Sequence, residues 1–249
     1  MTVSDQQSSV LSWAEPDGLS PRGTVVVIPG RGERPDVYER FGRRISSDAY
    51  RVYAVANPVE DAALAEEQVR SLLGGPQPVV LAGSDTGALF AAGLVASGRA
   101  PGVGALLLAG LPTVTAQPGA QAPAESSWEA ELEARTACPT HRGRLAGPAL
   151  HRGALYEPVP DGWLDRADLK AVSVPVLGIH GVADPVSPLA AAREKYAAAP
   201  RAELVSIADG RHDAFNDITH RTAAATVILF LERLRLGTAL PPIAVREDL

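Results

Sequence analysis

"VVLAGSDTGALFAAG" (Val79–Gly93) joins a hydrophobic run to an alanine-rich helical pattern through the pentapeptide Gly83-Ser84-Asp85-Thr86-Gly87. A strand, a sharp turn and a helix compressed into so few residues force the apex into a strained backbone. The residues two places away on each side must then be small. With Asp85 at the apex those positions hold Gly83 and Gly87. With Ser84 at the apex they hold Ala82 and Thr86, and a β-branched Thr fits poorly. The spacing therefore favours Asp85. An aspartate at a strand–helix junction is also an ordinary helix cap, so its meaning depends on what the rest of the chain supplies.

Outward from this turn, apolar runs alternate with helical patterns. Strands are expected at 23–30, 50–57, 78–83, 104–110, 174–181 and 202–209. Helices are expected in "VYERFGRRISS", at 61–73, about 87–97, in "PLAAAREKYAAA" and about 218–236. This order predicts an α/β fold in one domain, 1–249, with a mostly parallel sheet and helices on both faces. The alternation breaks between about 111 and 173. That insert opens with "PTVTAQPGAQAPAESS", continues into the short helix "WEAELEART", and carries Trp128, Tyr156 and Trp163. Inserts at the carboxyl ends of parallel strands form lids, and its aromatics make these three residues candidate lid or substrate contacts.

Bulk properties narrow the function. Charged residues make up 21% of the chain and the net charge is −6, with no basic patch, which argues against a nucleic-acid partner. No apolar stretch is long enough to span a bilayer, and the N-terminus lacks the pattern of a signal peptide. The expected partner is a small molecule and the expected compartment the cytoplasm; oligomeric state is not legible. The single cysteine, Cys138, excludes an intrachain disulfide and reads as structural or incidental. No metal or cofactor is expected.

Three further segments bear on Asp85. "GRHDAFND" follows the sixth strand and supplies His212. "GVADPVSP" follows the fifth and supplies Asp184 in a turn, where it would orient a histidine and stabilise its charged form. "VVVIPGRGERPDVYERF" places a Gly-rich turn after the first long strand, with backbone N–H groups available for developing negative charge. A dinucleotide loop is rejected for this turn. Residue 35 is Pro where the pattern needs Gly, and Asn57 stands where an acidic ribose ligand belongs.

Taken together, "PGRGERPDVYE", "GSDTGA", "GVADPVS" and "HDAFND" resemble the oxyanion turn, nucleophile elbow, acid turn and histidine segment of α/β-hydrolases. They are most similar to the monoacylglycerol lipase and lysophospholipase-like branch. The resemblance covers most of the chain. It implies an Asp85–Asp184–His212 triad, an oxyanion hole from the backbone N–H groups of Arg31 and Thr86, and supporting roles for Asn216 and Asp217. Two positions depart from it: Pro29 replaces the family's histidine and Asp85 its serine. Aspartate holds the apex in the epoxide hydrolase and haloalkane dehalogenase branches, although "PGRG" and Thr86 match neither.

A carboxylate nucleophile suits attack on an electrophilic sp³ carbon, with His212 then activating water against the resulting ester. The leading expectation is a cofactor-free epoxide hydrolase acting on a small, largely apolar molecule. Tyr156 is the first candidate proton donor, ahead of His141 and His151. The alternatives are an acid–base lyase or cyclase at the same site, an esterase using Ser84, and a non-catalytic binding protein on a hydrolase scaffold.

Overall fold

The computed structural model describes residues 9–114, 128–148, 150–245 and 247. Most of the proline-rich opening of the insert, residues 115–127, lies outside them. Strands β1 (Leu11–Trp13), β2 (Gly23–Ile28), β3 (Tyr50–Ala54), β4 (Val79–Ser84), β5 (Val103–Ala109), β6 (Val176–Gly181) and β7 (Ala202–Ile207) form one sheet in the order β1-β3-β2-β4-β5-β6-β7. The six strands expected from sequence are present and pair in parallel. β1 is additional and runs antiparallel to β3 at the edge. Three residues are too short to display a period, so nothing in "LSW" announces it.

Period-two alternation sorts the strand side chains onto two faces. Val25, Val27, Val80, Ala82 and Leu107 pack with Phe41 and Ile45 of α1 (Glu39–Ser46) and Phe230 of α8 (His220–Arg235). Val26, Ile28, Leu81, Leu106 and Leu108 face the other way. They meet Val69 of α2 (Ala62–Leu72), Leu94 of α3 (Thr86–Ala96) and Tyr196 of α7 (Leu189–Ala197). The middle strands are buried on both sides, so they read as continuous apolar runs, as parallel strands covered by helices must.

The segment between β5 and β6 holds more helix than its sequence announces. Besides α4 (Trp128–Arg135) there are α5 (Pro139–Leu145), α6 (Trp163–Arg166) and single 3-10 turns at Ala154–Tyr156 and Leu169–Ala171. It folds back onto the turn after β2. Glu33 bridges to Leu150, and the His151 N–H donates to the Gly32 carbonyl at 2.7 Å.

Candidate active site

Asp85 caps β4 at φ 50°, ψ −125°, a backbone region that non-glycine residues rarely adopt. The bend is feasible because its neighbours lack side chains. A Cβ on Gly83 would lie 2.3 Å from the Gly87 carbonyl oxygen, and one on Gly87 only 2.1 Å from that of Ile28. The Asp85 N–H is held by the Ala109 carbonyl at the end of β5. The side chain is thereby projected at the carboxyl edge of the sheet, where ligands of parallel α/β folds bind. Ser84 is also buried, and its hydroxyl bonds the Tyr38 hydroxyl.

The other two sequence-selected residues meet Asp85 there. His212 Nε2 is 3.2 Å from Asp85 Oδ1, and His212 Nδ1 is 2.8 Å from Asp184 Oδ2. Asp184 is fixed by its own turn, its Oδ1 accepting the N–H groups of Val186 and Ser187. His180 approaches Asp184 Oδ2 at 3.4 Å and places its own Nε2 2.7 Å from the Ser187 carbonyl oxygen. Asp85 and His212 are 1% and 2% exposed, so their charges are felt at short range with little screening.

Arg31 holds the carboxylate from the remaining side. Its Nε donates to Asp85 Oδ2 at 2.9 Å and its Nη2 to Oδ1 at 2.8 Å, the two-pronged geometry of a strong arginine–carboxylate pair. Its backbone N–H also reaches Oδ2, at 2.9 Å. The N–H group expected to face an oxyanion is thus occupied by Asp85 itself. Thr86 brings its hydroxyl to 3.5 Å from Oδ2, the outer limit of a hydrogen bond. The third guanidinium nitrogen of Arg31, Nη1, donates to the Glu157 carbonyl of the insert at 2.6 Å.

These contacts set the protonation states. Burial alone would raise the Asp85 pKa, but the Arg31 charge and the hydrogen bonds from His212 and Arg31 hold it well below the usual carboxylate range. Burial would lower that of His212, yet Asp184 and Asp85 together push it up to about 10. His212 is therefore an imidazolium at neutral pH, flanked by two carboxylates. Burial would raise the Asp184 pKa too, but the charge and hydrogen bond of His212 bring it below its ordinary value.

Behind Arg31 lies a buried layer of charge that sequence reasoning missed. Arg135 is 1% exposed; its Nη2 donates to the Arg31 carbonyl at 3.0 Å and to Glu131 at 2.8 Å, and its Nη1 to Glu33 at 3.3 Å. Glu33 accepts from the Gly30 N–H and the Tyr38 hydroxyl. His141 pairs with Asp213 at 2.5 Å, beside His212 in the chain. The i, i+4 pair Glu131/Arg135 in "WEAELEART" was the available signal, but such pairs usually mark a solvated helix face.

The insert aromatics go to different places. Tyr156 is half-buried, and its pKa is raised by burial and by Glu131. Trp128 carries Arg152 over its ring, 4.8 Å from the centroid. Trp163 stacks on Phe90 at 5.3 Å and lines a cavity with α2 and α3 residues, apart from Asp85 and His212. Asp217 secures the histidine loop by accepting the Arg211 N–H and the Thr136 hydroxyl, whereas Asn216 is fully buried. Among the described residues, no group of three or more His, Cys, Asp or Glu could hold a metal ion, and no helix is long and apolar enough to cross a membrane.

No protein-family model matches the chain, and no curated protein matches it. Solved structures do. A soluble variant of monoglyceride lipase from Saccharomyces cerevisiae superposes with a TM-score of 0.73 at 16% identity, covering 90% of this chain and 91% of the lipase. A monoacylglycerol lipase from Paleococcus ferrophilus gives 0.69 at 18%, covering 92% and 98%. An esterase from Rhodococcus sp. ECU1013 gives 0.65 at 20%, covering 90% and 95%. At such identities the shared property is the fold: this chain has the α/β-hydrolase fold.

Proposed function

We propose that this chain is a cofactor-independent hydrolase that opens an epoxide with Asp85 as nucleophile, the insert 111–173 serving as its cap. The observation that carries this reading is the unbroken line of contacts Asp85–His212–Asp184 at a strained turn. Strain of this kind persists only where the surroundings impose it, and it gathers at functional sites. The lipase and esterase neighbours support hydrolysis as the general class.

The charge states give an order of events. Asp85 Oδ1 attacks a ring carbon, and the carbon–oxygen bond of the epoxide breaks. The imidazolium of His212, with Nε2 beside the attacking oxygen, gives its proton to the departing oxygen. Esterified Asp85 no longer stabilises the imidazolium, so neutral His212 becomes the base. It takes a proton from water as the water oxygen adds to the ester carbonyl carbon. Collapse breaks the ester bond, and the leaving alkoxide takes that proton back from His212 to give the diol; the new carboxyl, with one oxygen from water, passes its own proton to His212 and is left ionised. Asp184 orients the ring throughout and compensates its charge.

Two alternatives fit less well. A carboxyl held far below its usual pKa is a weak general base, which counts against an acid–base lyase. Ser84 is engaged by Tyr38, which counts against an ordinary serine esterase. The test is a single turnover of an epoxide in heavy-oxygen water, followed by mass spectrometry of the peptide containing Asp85. Label is expected in that carboxylate. Diol formation with an unlabelled peptide would remove the covalent route.

A further inference from the structure

The inner layer of the site holds Asp85, Asp184, His212 and Arg31, two negative and two positive charges, all nearly inaccessible to solvent. That balance depends on Asp85 remaining ionised. Any step that puts an alkyl group on Asp85 removes one negative charge. Arg31 then faces a neutral ester with its guanidinium still charged, because arginine does not deprotonate in proteins. His212 can shed its surplus proton during the reaction; Arg31 cannot. Its remaining direct contacts are the uncharged carbonyl of Glu157 and, through its own carbonyl, Arg135, another cation; the carboxylates of Glu157 and Asp184 act on it only through space. The Glu157 side chain is exposed, and Asp184 is engaged by His212.

The same residue poses a problem before the step. Both Asp85 oxygens accept from the Arg31 guanidinium, and Oδ1 also from His212, so Oδ1 is fully nucleophilic only when the arginine fork lets go as well as the imidazolium. Letting go inside a buried site requires a replacement anion for the arginine. One group answers both demands, and it must arrive with the substrate. Resting on the hydrolytic reading above, we propose that the substrate carries a carboxylate next to its reacting carbon, and that Arg31 exchanges Asp85 for this group. Its planar two-pronged fork already holds a carboxylate of that shape. The expected small apolar epoxide is thereby refined to an epoxy acid.

The test separates this recognition from catalysis. Asp85→Asn keeps the shape of the side chain and removes its charge, as esterification does. Wild type, Asp85→Asn and Asp85→Asn/Arg31→Met are titrated calorimetrically at neutral pH in halide-free buffer. The probes are propionate, butyrate and 3-phenylpropionate, each beside its amide. At least one carboxylate is expected to bind Asp85→Asn about tenfold or more tighter than wild type, its amide equally to both, and the gain to vanish without Arg31. Equal binding of all carboxylates to wild type and Asp85→Asn, or a gain that survives Arg31→Met, overturns the proposal. Should the double variant not fold, wild-type turnover decides: glycidate is expected to exceed glycidamide at least 50-fold in kcat/KM, and equal turnover overturns it. An unlabelled Asp85 in heavy-oxygen water would sink the covalent reading while leaving the binding result to stand or fall alone.

Discussion

Asp85 accepts three hydrogen bonds from a single residue, Arg31, two from the guanidinium and one from the backbone N–H. A carboxylate so held is stable, buried and weakly basic. Both of its oxygens are bound by the same arginine, so the two charges are set by one geometry.

The protonation states predict an asymmetric pH profile of stability. His212 has its pKa raised to about 10 in the folded protein, against ~6.5 in an unfolded chain. Its contribution is fully present below the unfolded value and is lost as pH rises through the folded one. Asp85 and Asp184 are shifted down, so theirs is present above the ordinary carboxylate pKa of ~3.9 and lost as pH falls through the folded values. Unfolding free energy should therefore be greatest between roughly pH 4 and pH 6.5 and decline by a few kcal/mol toward pH 10. Urea denaturation at several pH values measures this, and His212→Gln should flatten the alkaline limb.

Proton donation by His212 predicts little for Tyr156. Its phenol is a weaker acid than usual because burial and Glu131 raise its pKa, whereas His212 is a charged acid in contact with the attacking oxygen, Asp85 Oδ1. Tyr156→Phe should lower kcat for epoxide opening by less than about threefold. His212→Gln should lower it by about 10²-fold or more, the range of a positioned acid–base group. Steady-state rates decide, and a large Tyr156→Phe loss would return the donor role to the phenol.

Two arginines of similar appearance in sequence should differ sharply in worth. Arg135→Met removes a fully buried charge facing Glu131 and Glu33; stranding two buried carboxylates should cost about 3–5 kcal/mol. Arg43→Met breaks an i, i+4 pair with Glu39 on an exposed helix face and should cost no more than about 0.5 kcal/mol. Equilibrium unfolding of both variants gives the comparison.

Much of this architecture is written in short-range pattern. Gly83 and Gly87 announce the bend because a Cβ at either would strike backbone within 2.3 Å. The parallel strands show as apolar runs because both their faces are covered. His212 and Asp184 stand out because each follows a parallel strand, β7 and β6, on the same side of β4 once the sheet is ordered. Arg31 was legible only as a backbone donor, since spacing says nothing about where a long side chain in a turn will point. Arg135 was hidden for a related reason. Whether a helical charge pair faces water or protein depends on how the insert folds back, and that is decided by contacts such as Glu33 with Leu150, far apart in the chain.

The bond from Arg31 to the Glu157 carbonyl ties the insert to the elbow through the very side chain that quiets Asp85. A change of backbone at residue 157 is therefore passed to the carboxylate at the elbow by one guanidinium, across 72 positions of chain.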